Sequence, residues 1–170
     1  MASDGVRDLR VNAAELLRQP GATKPIDTTV SALELEVLHD ALDGDVTVDV
    51  ELEAMNDGIT VRGVVSAPWK APCRRCLKDL SGIAEAPVDE IYQVELTDED
   101  AFPIENNQLD LAPMARQTVL LELDEERLCR EACAGLCPVC GVDRNETDCS
   151  CDTTIKDDRW SALEGLQLDD

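Results

Sequence analysis

Eight cysteines constrain the fold of this chain most, because they occur as four closely spaced pairs. In chain order the pairs are Cys73 with Cys76, Cys129 with Cys133, Cys137 with Cys140, and Cys149 with Cys151. Two thiols this close in sequence can reach one ion from a tight turn, and two such pairs complete a tetrahedral zinc site. The four pairs therefore predict two zinc ions, each held by four thiolates, with no open position for a catalytic water.

Two assignments of the pairs to the metal ions are compatible with this spacing. The favoured assignment joins the third pair to the fourth, which are near in sequence and can close a small local ribbon. The first and second pairs then share the other ion, and that link removes more unfolded-state entropy because it joins distant segments. The alternative assignment joins the second pair to the third.

The composition at the N-terminus and the hydropathy of the chain favour a reducing compartment. The opening residues lack the basic start and apolar run of a secretory signal. No stretch approaches the roughly 18 consecutive apolar residues of a membrane span. We therefore expect a cytoplasmic protein without membrane contact, in which cysteine pairs indicate metal binding rather than disulfides.

Alternating hydrophobicity predicts an antiparallel meander before the second cysteine pair. Residues 45–54 alternate Val or Leu with Thr, Asp or Glu, and Asn56-Asp57-Gly58 forms a turn into a return strand at residues 59–65. Residues 83–96 are a further extended segment, which we expect to break near Pro87. Shorter strands are predicted at residues 8–11 and, by a weaker alternation, within residues 23–43.

Three helices complete the prediction. Asn12 is a candidate N-cap for residues 13–18, and Asp110 for residues 111–123, after an acidic loop at residues 97–108. A terminal helix is expected at residues 159–166, docked by Trp160. The buried stripe predicted for the middle helix consists of Leu111, Met114, Ala115, Val119 and Leu123.

These elements define an α+β fold with a C-terminal zinc module. An antiparallel sheet with a few helices occupies residues 1–128 and includes the first cysteine pair. A cysteine-rich zinc-binding module with the terminal helix occupies residues 129–170.

The charge is strongly negative and unevenly distributed. The net charge is −22, from 37 acidic and 15 basic residues, and residues 25–60 and 89–110 contain no Lys or Arg. Such a surface repels nucleic acid over most of its area and attracts basic proteins. Residues 61–78 reverse the pattern with the candidate RNA-contacting residues Arg62, Lys70, Arg74, Arg75 and Lys78. These cations either contact RNA or offset the charge of the first thiolate pair.

The sequence contains no recognisable catalytic constellation. His39 is the single histidine and has no serine or cysteine motif near it, so we expect no enzyme and no small-molecule substrate. Trp69 is expected to pack, with stacking on a base as the alternative. The main alternative to a binding protein is a redox sensor, because Cys137-Pro-Val-Cys140 resembles a redox-active dithiol and zinc thiolates can be oxidised.

Three motifs in chain order carry a family resemblance. Residues 72–77, Pro-Cys-Arg-Arg-Cys-Leu, resemble the PCxRCL signature of the YceD family, the large ribosomal RNA subunit accumulation proteins. Residues 129–151 resemble the family's second block. They contain the last three cysteine pairs in the order Cys-x3-Cys-x3-Cys-x2-Cys-Gly, followed by Asn145 and then Cys-Ser-Cys. Residues 157–163 are similar to its closing DPRWxxL, with Asp158 in place of proline.

The resemblance implies a process rather than a mechanism. It implies a non-catalytic role in large-subunit biogenesis and in accumulation of the large-subunit ribosomal RNA. The expected partner is a basic ribosomal protein or an RNA-processing protein, and contact with ribosomal RNA is possible. Some relatives retain only the first two pairs, which implies that these two pairs form one site.

Overall fold

The computed structural model describes residues 5–123 and 125–153. The helices and strands in chain order are α1 (Gly5–Asp8), β1 (Arg10–Asn12), α2 (Ala13–Leu16), β2 (Thr23–Val30), β3 (Val46–Ala54), β4 (Gly58–Pro72), β5 (Asp79–Gln93), β6 (Phe102–Pro103), β7 (Gln108–Asp110) and α3 (Ala112–Leu123). The described residues group into two compact units. The sheet unit consists of residues 5–72 and 79–127, and the cysteine unit consists of Cys73–Lys78 and residues 128–153.

A five-stranded sheet in the order β2-β3-β4-β5-β6 organises the sheet unit. The first four strands are antiparallel neighbours, and only the short β6 runs parallel to β5. A two-stranded ribbon of β1 and β7 lies apart from this sheet. The predicted α+β class with a mostly antiparallel sheet is therefore confirmed.

Strict alternation in β3 determines which face of the sheet becomes the core. Every second residue of β3 is buried, from Val46 to Ala54, and the residues between them point to the opposite face of the sheet. Gly63 lies opposite Val50 and has a φ of 153°. A Cβ atom at this position would collide with the carbonyl oxygen of Asp49, so there is no room for a side chain. Glycine at this position lets the β3–β4 pairing continue without interruption.

Helix α3 covers the buried face, as the sequence predicted. The Asp110 carboxylate accepts a hydrogen bond from the Ala112 amide at 2.9 Å, which places the cap where it was expected. The Asn12 side chain likewise accepts from the Ala14 amide at 3.0 Å. All members of the predicted stripe are buried, namely Leu111, Met114, Ala115, Val119 and Leu123.

Residues 31–45 do not continue the strand that alternation suggested. Only Thr23–Val30 pair with β3, and the chain then turns, with Glu36 at a φ of 55°. Leu35 and Val37 are buried, whereas Leu33 remains 77% exposed. The apolar residues of this segment reach the core from successive turns, and that spacing imitates a strand.

The predicted break at Pro87 is wrong, because β5 is continuous from Asp79 to Gln93. The Gln93 carbonyl accepts from the Ile104 amide, so it points away from β4. Backbone groups alternate sides along a strand, and Pro87 lies an even number of residues earlier. Its nitrogen therefore faces the side where no described strand pairs with it, and the missing N–H costs no ladder bond.

Two further predictions need comment. The boundary at residues 128 and 129 grouped the first cysteine pair with the sheet, whereas in the structure residues 73–78 belong to the cysteine unit. The terminal helix predicted at residues 159–166 lies outside the described residues. Within the described part of the chain, no helix has the length and apolar character that crossing a bilayer requires.

Candidate metal centres

The first candidate centre is formed by the first and second cysteine pairs. Cys73 and Cys76 lie between β4 and β5, and Cys129 and Cys133 follow α3. The four sulfur atoms lie within 4.8 Å of one another. The second centre is formed in the same way by the third and fourth pairs. The structure therefore groups the cysteines as the favoured assignment predicted.

The spacing of the sulfur atoms fits a metal tetrahedron rather than disulfides. Cys73 Sγ lies 3.9 Å from Cys133 Sγ, and Cys76 Sγ lies 3.7 Å from Cys129 Sγ. Zinc–sulfur bonds of about 2.3 Å in a tetrahedron give sulfur–sulfur edges of about 3.8 Å. A disulfide would hold the two sulfurs about 2.05 Å apart. All eight cysteines are free thiols, so the donor set suits a soft or borderline metal ion.

Equivalent backbone turns present the two Cys-x2-Cys pairs. The Cys73 amide donates to the Lys78 carbonyl at 2.7 Å, and the Leu77 amide donates to the Cys73 carbonyl at 2.9 Å. In the second centre the Cys137 amide donates to the Val142 carbonyl at 2.8 Å, with Gly141 in the position of Leu77.

The fifth residue of each turn adopts a left-handed conformation. The φ angles are 60° at Leu77 and 75° at Gly141. Glycine adopts this conformation at little cost, whereas leucine does so against steric resistance. The first Cys-x2-Cys turn therefore forms with leucine at this position, although only the second turn has the glycine that is expected there.

Local hydrogen bonds favour ionisation of some thiols and oppose that of others. Backbone amides of Cys76 and Cys129 lower the pKa of the Cys73 thiol to about 6. The neighbouring Cys133 thiol and then burial raise the pKa of Cys129 to about 12. In the second centre, backbone amides lower the pKa of Cys137 to about 6.

The thiols of one centre differ in pKa because they interact with one another. The pKa of Cys151 is raised to about 12, first by its hydrogen bond with the Cys140 thiol, so each centre contains a thiol whose ionisation is opposed by a neighbouring thiol. Four thiolates within a few ångströms repel one another unless a cation lies among them. A bound dication would hold all four ligands deprotonated.

The two centres differ in exposure. In the first, Cys73, Cys76 and Cys133 are buried, and Cys129 is half-buried. In the second, only Cys137 is buried, and Cys140 is exposed. The second centre is therefore the more accessible to chelators and oxidants.

Arg75 forms hydrogen bonds between the first Cys-x2-Cys turn and residues 131–136. Its guanidinium donates to the carbonyls of Glu131 and Cys133, both at 3.1 Å. The Arg75 carbonyl accepts from the Leu136 amide at 3.0 Å. The side chain of Arg75, one of the predicted RNA contacts, thus has a structural role within the cysteine unit.

Asn145 connects the loop of the second centre to a ligand of the first. Its Nδ2 donates to Cys133 Sγ at 3.4 Å and to the Asp143 carboxylate at 2.6 Å. Its Oδ1 accepts from Arg130 at 2.7 Å and from the Ala134 amide at 2.9 Å. An amide donor to a ligating sulfur orients that ligand and stabilises its negative charge. The sequence indicated Asn145 only as part of a motif, since an asparagine between cysteines does not reveal which sulfur it contacts.

We predict that Asn145→Ala weakens metal retention at the first centre. Loss of the amide bond to Cys133 Sγ should make release of one of the two ions to a chromophoric chelator about 10–100-fold faster. Thr147→Ala, an exposed change in the same loop, is the matched control and should leave both release rates unchanged. Equal release rates for the two variants would show that Asn145 does not support the centre.

The other proposed RNA contacts are divided between the units. Arg62 is in the sheet unit, where Asp89 holds it in an exposed ion pair of 2.9 Å. Lys70 is exposed on β4, and Arg74 and Lys78 are exposed in the cysteine unit. RNA contact by these basic residues stays a prediction.

The remaining singled-out residues contribute to the fold of the sheet unit. Trp69 is half-buried, with the Arg127 guanidinium 4.7 Å from its ring centroid. His39 accepts a hydrogen bond from the Ala41 amide at 3.1 Å. An open cavity of about 520 Å³ beside Tyr92 is lined by Arg10 and Asp110, which form an ion pair with each other.

Comparison with known proteins gives a consistent family. The family model described as "Large ribosomal RNA subunit accumulation protein YceD" matches residues 61–167. Rv2926c of Mycobacterium tuberculosis is 33% identical over 146 residues, covering 79% of this chain and 70% of the relative. ML1660 of Mycobacterium leprae is 28% identical over 135 residues, covering 74% and 62%.

A plant relative carries the family's name. "Large ribosomal RNA subunit accumulation protein YCED homolog 1, chloroplastic" of Arabidopsis thaliana is 31% identical over 74 residues, which cover 44% of this chain and 23% of the relative. No solved structure matches the chain significantly.

Proposed function

This chain belongs to the YceD family of large ribosomal RNA subunit accumulation proteins, and on that premise we propose that it is a zinc-binding, non-catalytic factor in biogenesis of the large ribosomal subunit. It acts by binding other proteins in the cytoplasm. The proposed partner is a basic ribosomal protein or an RNA-processing protein. The residues proposed for contact with ribosomal RNA are the exposed Arg62, Lys70, Arg74, Arg75 and Lys78.

The observation that supports this proposal is the closure of both cysteine groups. Each group offers four sulfur donors, which is the full set of a tetrahedral structural site. Zinc fits this donor set because it accepts four thiolates without a geometric preference of its own, and it would supply structural cross-linking. A catalytic zinc site would keep one position for water or substrate, and these donor sets have none to spare. A thiol-based redox sensor stays the alternative, and the more exposed second centre is where it would act.

We expect the cysteines to be required for accumulation of large-subunit ribosomal RNA. In cells that lack their own family member, the wild-type chain should restore the ratio of large-subunit to small-subunit RNA, whereas Cys133→Ser should not. Ala134→Ser, an exposed neighbouring change that also introduces serine, is the matched control and should restore the ratio. Full restoration by Cys133→Ser, or an unchanged ratio in the deleted cells, would contradict the proposed function.

A further inference from the structure

The outer face of the sheet is left uncovered by the described elements of the sheet unit, except at the end where Thr60 and Gln93 are buried. Core residues occupy alternate positions of β3 and β4, so the residues between them face outward. The register aligns these outward residues across four strands. The exposed outward residues are Thr23, Pro25, Asp27, Thr29, Asp49, Glu51, Arg62, Val64, Lys70, Pro72, Asp79, Ser81, Ile83, Glu85, Pro87, Asp89 and Ile91.

The half of this outer face on β2 and β3 is acidic. Asp27 stands directly opposite Asp49, and Glu51 is the next outward residue along β3. Like charges directly opposed across strands destabilise a sheet, so these carboxylates do not contribute to the fold. Two cations lie on the described part of this face: Arg62, which is paired with Asp89, and Lys70, which lies on β4 at the far end from Glu51.

The half on β4 and β5 is partly aliphatic. Val64 is 40% exposed, Ile83 is 60% exposed and Ile91 is 41% exposed. Val64 lies opposite Asp49 on one side and Pro87 on the other, so the aliphatic and acidic halves adjoin each other. Scattered exposed aliphatics are ordinary, but here they share one face with a row of carboxylates.

We propose that the outer face docks a lysine- or arginine-rich protein segment that also carries aliphatic side chains. Its cations would lie over Asp27, Asp49 and Glu51, and its aliphatic residues would lie over Val64 and Ile91. Charge complementarity selects this occupant, because the same carboxylates repel the phosphates of RNA. The inference rests on the proposed function, since it gives a location to the binding of a basic partner.

Binding of a defined peptide tests the docking surface. The probe is a peptide of about 12 residues that alternates lysine with valine and threonine. The face variant carries Asp27→Asn, Asp49→Asn and Glu51→Gln, and the control variant carries Glu95→Gln, Glu99→Gln and Asp100→Asn. The control removes the same charge from an exposed segment outside the sheet face. Removing opposed carboxylates relieves repulsion, so the face variant should fold at least as well as the wild type, which a melting curve checks.

We expect the face variant to bind the peptide at least about 10-fold more weakly at about 0.1 M salt, and the control variant to lose less than about 3-fold. Val64→Thr with Ile91→Thr should also weaken binding without changing the charge. Equal losses in the face and control variants would mean that net charge alone attracts the peptide, and would overturn the inference. Preferential binding of an RNA oligonucleotide to this face would overturn it as well.

The two proposals fail in different ways. If the face variant restores ribosomal RNA accumulation fully while Cys133→Ser does not, the docking surface is wrong and the proposed function stands. If Cys133→Ser restores accumulation, the proposed function is wrong whatever the peptide shows.

Discussion

Cys133→Ser should remove one of the two metal ions and unfold the part of the cysteine unit that surrounds the first centre. Among the described residues of that unit, the buried hydrophobic side chains are all cysteines: Cys73, Cys76, Cys133 and Cys137. A unit with no other apolar core depends on its metal, since structural zinc contributes about 10–16 kcal/mol of apparent binding free energy in small zinc-binding peptides. Native mass spectrometry should find one ion fewer, and amide resonances of residues 73–78 and 128–136 should lose dispersion.

The sheet unit is the internal control for this change. Its buried residues form a continuous cluster that contains no cysteine, so its amide resonances should remain dispersed. Ala134→Ser should retain both ions and a wild-type spectrum. A cysteine unit that stays folded in Cys133→Ser with one ion missing would contradict metal-dependent folding.

Tyr92→Ala should have the opposite pattern, with a destabilised sheet unit and intact metal content. Tyr92 is 1% exposed, and its ring stacks on Phe102 with centroids 5.1 Å apart. Its hydroxyl donates to the Asp110 carbonyl at 3.2 Å. Truncating a buried aromatic side chain costs about 3–5 kcal/mol, which should lower the melting temperature of the sheet unit by about 10 °C or more.

The hydroxyl and the ring of Tyr92 can be separated. Tyr92→Phe keeps the stacked ring and loses one hydrogen bond, so it should cost only about 1 kcal/mol. Both variants should still carry two metal ions by native mass spectrometry at room temperature. Parallel loss of metal and sheet in Tyr92→Ala would show that the two units do not behave as separate units.

Local pattern was sufficient to predict the strands and helix that form the core. The alternation of β3, the asparagine-aspartate-glycine turn and the stripe of α3 each depend on neighbouring residues, and all are found. Residues 31–45 were misjudged because alternation alone cannot distinguish a strand from successive turns that bury every second residue. The continuity of β5 through Pro87 depends on which strand lies beside it, and local sequence does not contain that information.

The cysteine composition of the two candidate metal centres could be predicted from the sequence, whereas the hydrogen bonds around them could not. Spacing identified the eight candidate ligands, and proximity along the chain favoured the grouping that the structure has. The hydrogen bonds of Arg75 and Asn145 reach residues up to 58 positions away or across a loop, so they emerge only from the fold. The outer face likewise becomes visible only when the register places Asp27 beside Asp49.

X-ray absorption at the zinc edge of the purified protein tests the central claim most directly. The account predicts two zinc ions per chain, each surrounded by four sulfur atoms at about 2.3 Å with no nitrogen or oxygen neighbour. That result would mean that both centres are closed and that function resides in the surfaces of the protein. A nitrogen or oxygen neighbour at either ion, or the absence of zinc, would contradict it.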